Sequence, residues 1–184
     1  MNKEEILQQI TWDSYGIGKI TLLVPLFGQS LPFVFFAENA DSPTITDKMV
    51  ACVDDVLALR PAAIQRVKEL LWEECLFAFQ VADYGVDILE GETTLQAHLR
   101  EFEVANAEDA YQKSEVEEIH ISSENDSFEG RYAEIKISTA SYNYISMIVK
   151  NGQIIDFDDD GTYIGWFEQD EQNAHKKRSK TLGD

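Results

Sequence analysis

The hydrophobic positions near the start of the chain predict a β-hairpin. Two apolar runs, Lys19 to Phe27 and Leu31 to Ala37, are separated by a short link that contains Gly28. Apolar runs joined by such a link are typical of paired antiparallel strands. Because proline cannot donate to a strand ladder, Pro25 and Pro32 predict that part of this hairpin lies at an edge or a bulge.

Helical spacing replaces the strand pattern after the hairpin. A first helix is predicted from the spacing of Met49, Val53 and Val56. Pro61 then begins a second, longer helix, since proline is well suited to the first helical position. Its apolar stripe consists of Ile64, Val67, Leu71, Cys75 and Ala78. A shorter helix follows a capping box made by Thr93 and Gln96.

From residue 115 the hydrophobic period changes to two. Residues 115–122 and 131–138 alternate polar and apolar side chains, which predicts strands with one wet face. Asn151-Gly152 lies between two further apolar runs and favours a type I′ hairpin, because both residues tolerate positive φ. Residues 159–161, Asp-Asp-Gly, predict a second tight turn, followed by a last strand over 162–167.

The register of that last hairpin predicts where its side chains lie. Asp156, Asp158 and Trp166 would share one face, and Phe157 and Tyr163 would share the other. The four aspartates between positions 156 and 160 would then form an exposed hairpin tip. Since the two aromatic side chains lie on opposite faces in this register, we expect at least one of them to be part of the core.

These elements together predict an α+β fold. Its antiparallel sheet is built from hairpins, and two main helices are inserted after the N-terminal hairpin. Residues 1–168 are predicted to form a single domain, because a chain of 184 residues suffices for one core. Residues 169–184 are polar apart from Ala174 and Leu182, so we expect a flexible C-terminal tail.

The composition adds a strong and uneven negative charge. The chain has 34 acidic and 15 basic residues, a net charge of −19, and residues 81–174 carry 22 of the acidic groups and 5 of the basic ones. Such a field repels nucleic acid and anionic membranes, and it accelerates association with a basic protein. Solubility is an equally simple reason for the charge.

The sequence also predicts where the protein is located. The N-terminal residues lack the apolar segment of a secretion signal, and no apolar run approaches the roughly 18 residues of a membrane span. We therefore expect a cytoplasmic protein without a membrane partner. Cys52 and Cys75 both lie in predicted helices, where free thiols act as small hydrophobic side chains.

The acidic run at residues 156–161 matches the first half of a calcium-binding loop, D-x-D-x-D-G. The glutamate that closes such a loop would fall at Phe167, and strands replace the expected flanking helices. An acidic hairpin tip is therefore the favoured interpretation. The alternative is a small metal-dependent hydrolase, or a protein that binds divalent cations, and that uses the cluster Asp156–Asp160.

Enzyme signatures do not emerge from the sequence. It contains no G-x-S-x-G elbow, no phosphate-binding loop and no H-E-x-x-H zinc motif. Glu118 and His120 share a strand face, but in a strand rich in carboxylates they indicate a solvated surface. We predict a protein that is not an enzyme, with no catalytic residue, no metal ligand and no cofactor.

The order of these features resembles an uncharacterised bacterial domain family associated with the immunity proteins of polymorphic toxin and contact-dependent growth inhibition systems. The resemblance rests on Trp12 before an apolar hairpin, on two helices through Phe79, and on the aromatic and Asn-Gly hairpin from Tyr142 to Gly152. It covers most of residues 10–167.

The resemblance implies an acidic inhibitor that binds a cognate toxin stoichiometrically and occludes its active site. The toxin would be basic, as nucleases tend to be, which agrees with the charge. Aromatic side chains are frequent at the energetic centre of such interfaces. The predicted contact residues are Asp156, Asp158, Asp159, Asp160, Tyr163 and Trp166.

Overall fold

The computed structural model describes residues 3–183, which contain seven α-helices and seven strands. The helices are α1 (Lys3–Gln9), α2 (Asp47–Leu57), α3 (Ala63–Val81), α4 (Thr94–Glu101), α5 (Ala107–Gln112), α6 (Gly165–Gln169) and α7 (Asn173–Leu182). The strands are β1 (Thr11–Trp12), β2 (Ile17–Val24), β3 (Gln29–Phe36), β4 (Glu115–Ser122), β5 (Tyr132–Ser138), β6 (Tyr144–Lys150) and β7 (Gln153–Asp159). Among these described residues, no helix is both long enough and apolar enough to cross a membrane.

The seven strands form one sheet in which their spatial order is the order of the chain. Every neighbouring pair is antiparallel except β3 and β4, which run parallel. Helices α2 to α5 lie in the connection between these two strands, as a parallel pair requires. The predicted α+β class is confirmed, including the helices inserted after the N-terminal hairpin.

Turn chemistry explains how the hairpins form. Asn151 and Gly152 both have positive φ, 49° and 75°, so the predicted type I′ turn joins β6 to β7. In the N-terminal hairpin, β3 is an interior strand rather than an edge. Pro32 is tolerated there because pairing with β4 begins only at Phe33, one residue later.

The main core lies between one face of the sheet and helices α2 and α3. The sheet contributes Phe33, Phe35, Ile135, Ile137 and Met147 to it, among others. Both helices contribute the apolar stripes that their spacing predicts, including Val53 and Leu71, which are at most 1% exposed. Burial of these two stripes holds the connection between β3 and β4 against the sheet.

A smaller core covers part of the opposite sheet face. Ile148 lies between two main-core residues of β6, so strand alternation directs its side chain to the other side. There it packs with Tyr132, Ile164, Phe167 and Ala174. This small core attaches α6 and α7 to the sheet.

The prediction of a strand over 162–167 is wrong. β7 ends at Asp159, and a turn follows in which Gly161 has a φ of 82° and the Thr162 backbone amide donates to the Asp159 carbonyl. Residues 165–169 then form α6. Ile164 and Phe167 are three residues apart, a helical spacing that places both in the small core.

The C-terminal stretch also differs from the predicted flexible tail. Asn173–Leu182 form α7, which packs against β7 and α3. Ala174 is 1% exposed in the small core, and Arg178, four residues later on the same helix face, is 7% exposed. The helix is held by one small apolar residue and one buried arginine, a combination that the apolar pattern alone does not indicate.

Candidate functional site

The candidate site is an acidic and aromatic surface at the end of β7 and the start of α6. We call it the acidic–aromatic patch and define it by five of the six predicted contact residues, namely Asp158, Asp159, Asp160, Tyr163 and Trp166. β7 ends at Asp159, Asp160 and Gly161 form the turn that follows, and the two aromatic residues come after this turn.

One of the aspartates, Asp158, organises the turn. Asp158 accepts a hydrogen bond from the Thr162 hydroxyl at 2.7 Å and another from the Asp159 backbone amide at 3.0 Å. The Lys177 ammonium lies 3.9 Å from its carboxylate. Asp159 itself is exposed. The turn therefore holds one carboxylate in place and leaves its neighbour free to meet a partner.

Asp160 is tied to the sheet by a buried lysine. The Lys136 ammonium, whose residue is 2% exposed, donates to Asp160 at 2.7 Å, to Glu134 at 2.7 Å and to the Ser146 hydroxyl at 2.6 Å. The hydrogen bond from Lys136 lowers the pKa of Asp160, so this carboxylate stays charged well into the acidic range. Its side chain remains 49% exposed.

The aromatic pair is exposed and preassembled. Tyr163 is 49% exposed and Trp166 is 44% exposed, and their ring centroids lie 5.8 Å apart at nearly perpendicular planes. The prediction of opposite faces, with at least one side chain in the core, is therefore wrong, because the helical turn brings both to the same surface. A Cβ atom at position 165 would lie 2.3 Å from the Tyr163 ring, so Gly165 makes room for it.

Asp156, the sixth predicted contact residue, is not part of the patch. It is 2% exposed and pairs with the Arg178 guanidinium at 2.6 Å. Its other oxygen accepts from the His175 backbone amide at 2.9 Å. Arg178 also donates to Glu73 at 2.8 Å, and its guanidinium lies 3.7 Å from the ring centroid of Phe157. The prediction that Asp156 lies on an exposed hairpin tip is therefore wrong, because both oxygens of its carboxylate bind groups of α7.

The aspartates do not converge on a common point. Each of Asp156, Asp158 and Asp160 has a different cationic neighbour: Arg178, Lys177 and Lys136. Across residues 3–183, no group of three or more His, Cys, Asp or Glu side chains is arranged to hold a metal ion. The calcium-loop pattern therefore corresponds to a set of separate ion pairs.

Glu168, the carboxylate closest to the position that closes a calcium loop, also has a structural role. It accepts hydrogen bonds from the Tyr132 hydroxyl and, at 2.7 Å, from the Glu129 backbone amide. These contacts join α6 to the loop before β5. Phe167, at the closing position itself, is fully buried in the small core.

The remaining candidates for chemistry are not members of the patch. His120 contacts the Glu118 carboxylate on the polar sheet face and packs against Phe36, with ring centroids 5.0 Å apart. Cys52 is buried, and burial raises the pKa of its thiol to about 12. Burial likewise raises the pKa of the Cys75 thiol. Both thiols are therefore protonated and poorly nucleophilic at neutral pH.

Two residues that shape the site escape sequence reasoning. Lys136 occupies a polar position in an alternating strand, and nothing in the alternation distinguishes a buried lysine from a solvated one. Arg178 lies in a basic run, Lys176-Lys177-Arg178, that is typical of a solvated tail. Its spacing of four from Ala174 is the only signal that could indicate its burial.

Comparisons of the chain with protein-family models, with curated proteins and with solved structures found no match.

Proposed function

We propose that this protein is an immunity protein, which binds a basic bacterial toxin through the acidic–aromatic patch and blocks the toxin's active site by stoichiometric occlusion. The observation that carries this proposal is the pair of exposed aromatic rings, Tyr163 and Trp166, next to the carboxylates Asp159 and Asp160.

The aromatic pair has the properties of an interface centre. Tyrosine and tryptophan are enriched among the residues that contribute most to protein–protein binding, because they bury a large area at a small entropic cost. The perpendicular contact between the two rings restricts both side chains before a partner arrives. Preorganisation of this kind reduces the entropic cost of association.

The carboxylates around the rings support a basic partner. Asp159 is exposed and Asp160 is about half exposed, while Lys136 keeps the latter ionised and fixed in direction. Exposed carboxylates beside an aromatic pair complement a positively charged surface and disfavour an acidic one. Nucleases bind the phosphate backbone of their substrates through positively charged surfaces, and such a surface would be complementary to these carboxylates.

The first test asks whether a toxin is neutralised at all. The proposal predicts a toxin-like reading frame immediately upstream of the gene for this protein, and its product, expressed in a host that it kills, is the probe. We expect co-expression of this protein to restore growth, and the purified pair to form a 1:1 complex in which the toxin is inactive. Continued killing together with failure to form the complex would refute the proposal.

A matched pair of variants relates the protection to the patch. The double variant Tyr163→Ala/Trp166→Ala removes both rings, which are about half exposed and belong to neither hydrophobic core. Tyr15→Ala removes an aromatic ring that is 79% exposed in a different region, before β2. Protection should be lost in the first variant and retained in the second. Equal protection by both would place the binding surface elsewhere.

A further inference from the structure

We propose that the cleft between α3, α7 and the adjoining ends of β6 and β7 is a binding site for a ligand whose apolar stem ends in an ammonium or guanidinium group, with Glu74 as the acceptor. The cleft has a volume of about 410 Å³, within the usual range for small-ligand sites. It borders the acidic–aromatic patch at Asp158 and Asp159.

Glu74 is a buried carboxyl group with one oxygen unused. The residue is 2% exposed and lines the cleft from α3. Its Oε1 atom accepts hydrogen bonds from the Ser141 hydroxyl at 2.7 Å and from the Asn143 side-chain amide at 2.8 Å. Its Oε2 atom has no hydrogen-bond partner among the described residues. A buried oxygen without a donor is costly, so the site favours a ligand that supplies one.

The turn between β5 and β6 fixes the orientation of this carboxyl group. Tyr142 has a φ of 64°, a left-handed conformation that is unfavourable for a residue with a Cβ atom. The two residues that flank it, Ser141 and Asn143, are the donors to Oε1. Because both donors occupy the same oxygen, Oε2 is the atom left for a ligand.

The rest of the lining selects an apolar stem and a positive end. The walls of the cleft include Phe77, Ala78, Val81, Ile145 and Phe157. At its margin Asp158 and Asp159 are negative, and the exposed Lys177 lies 3.9 Å from the Asp158 carboxylate, which balances its charge. Arg178, the buried cation of the lining, is already paired with Asp156 and Glu73. A neutral donor could reach Oε2, but a cationic donor also compensates the charge of Glu74.

This chemistry has two sources. A free aliphatic amine carries it, and so does a lysine or arginine side chain of a basic protein bound at the neighbouring patch. Both place the same nitrogen on Oε2. The inference does not depend on the proposed function, because the free protein alone is sufficient for the first part of its test.

The test is a titration of ¹⁵N-labelled protein with n-butylammonium and n-butylguanidinium, followed at the Asn143 side-chain amide. 1-Butanol has the same stem as the ammonium probe but no charge. We expect saturable shifts with at least one cation, and a binding constant about tenfold or more weaker for the alcohol. Equal binding of the alcohol and both cations, or no saturable binding of either cation, would overturn the inference.

Variants assign the binding to Glu74. Glu74→Gln keeps an acceptor for Ser141 and Asn143 but removes the charge, so cation binding should weaken about tenfold or more. Glu69→Gln removes a charge from the same helix at an exposed position and should change nothing. Ala82→Leu narrows the cleft while Glu74 stays intact, and it should also weaken binding. Unchanged binding in Glu74→Gln or in Ala82→Leu would contradict the assignment.

Repeating the titration on the complex with the upstream toxin distinguishes the sources. Continued binding of the probe identifies a free amine as the occupant of the cleft. Loss of binding, together with weaker toxin binding by Glu74→Gln, identifies a basic side chain of the bound protein as the occupant. Failure of the toxin to bind at the patch would refute the proposed function and leave the probe binding of the free protein unaffected.

Discussion

Arg178 reaches from α7 to the Asp156 carboxylate at 2.6 Å and to the Phe157 carbonyl, also at 2.6 Å. Both charged groups are almost fully excluded from water, at 8% and 3% side-chain exposure. A buried ion pair adds little net stability when formed, but removing one partner leaves an uncompensated buried charge. The fold therefore requires Arg178, although it lies in a polar C-terminal stretch, because the buried Asp156 carboxylate needs its positive charge.

The first prediction concerns this pair. Arg178→Ala should lower the free energy of unfolding by about 3–5 kcal/mol, since Asp156 stays buried without a cation. Urea denaturation measures the loss. Lys176→Ala is the matched control, because Lys176 is exposed on the same helix and its removal should leave the unfolding curve nearly unchanged. Equal curves for the two variants would contradict the structural role of Arg178.

The second prediction concerns the pH dependence caused by Glu74. Burial raises the pKa of its carboxyl group above the ordinary value of 4.5, although hydrogen bonds from Asn143 and Ser141 act in the opposite direction. The native state therefore holds this proton more tightly than the unfolded chain does. Stability that is fully present below pH 4.5 is lost as the pH rises through the raised folded-state pKa.

Glu74→Gln removes this loss because glutamine does not titrate. The free energy of unfolding of the variant minus that of the native protein should therefore increase as the pH is raised from 4.5 to neutral. Urea denaturation at a series of pH values measures the difference. Glu69→Gln serves as the control, since it lies on the exposed side of α3. A constant difference across the series for Glu74→Gln would contradict the raised pKa.

At the scale of the elements, α7 covers an edge of the sheet. β7 is the last strand of the sheet, and an uncovered edge exposes unpaired backbone groups. Arg178 donates to the Phe157 carbonyl, and Arg66 of α3 donates to the Ile155 carbonyl at 2.9 Å. Arginine side chains from two helices therefore occupy the edge where a further strand would otherwise pair.

The third prediction follows from this covering. Truncation after Gln172 removes Ala174 from the small core and Arg178 from the edge, so it should destabilise the protein more than Arg178→Ala does. Hydrogen exchange of the β7 amides should accelerate as well. Truncation after Leu182 is the control and should leave both properties unchanged. A shortened chain that is as stable as the native one would support the flexible tail predicted from the sequence.

The sequence predicts the elements whose patterns are local. The alternation in residues 115–122 and 131–138 and the Asn151-Gly152 turn correspond to β4, β5 and the last hairpin. The strand predicted over 162–167 is wrong because so short an apolar run fits both the strand period of two and the helix period of 3.6. Ile164 and Trp166 have the spacing of alternating strand residues, whereas Ile164 and Phe167 have the spacing of neighbours on one helix face. Only packing against Ile148 selects the helix.

The candidate site was predictable in part for the same reason. Sequence reasoning selects the acidic run and both aromatic residues, because charge and aromaticity are visible in the residues themselves. It cannot separate Asp156 from Asp158, since the cations that distinguish them, Arg178 and Lys177, come from an element without an apolar signature. Glu74 is missed because a buried carboxylate in a helix looks like a solvated one.

At the scale of the whole molecule, the net charge of −19 acts on any partner before contact is made. Long-range attraction raises association rates toward basic proteins, whereas the strength of the final contact depends on the buried centre of the interface. The two contributions are separable because salt screens the first far more than the second.

The fourth prediction uses this separation. The association rate constant for the upstream toxin should fall about tenfold or more between low salt and 0.5 M salt, because exposed charges are screened beyond about 4 Å at that ionic strength. The dissociation rate should change much less. Stopped-flow measurement of the intrinsic tryptophan fluorescence, to which Trp166 contributes together with Trp12 and Trp72, provides the signal. An association rate that does not depend on salt would contradict charge steering.

The measurement that tests the central claim most directly is the dissociation constant of the toxin complex, determined by isothermal titration calorimetry for the native protein and for Tyr163→Ala/Trp166→Ala. Two aromatic residues at the centre of an interface contribute at least about 2 kcal/mol each, so the constant should rise by roughly 1,000-fold. Tyr15→Ala should bind as the native protein does. A double variant that binds with native affinity would show that the acidic–aromatic patch is not the binding surface.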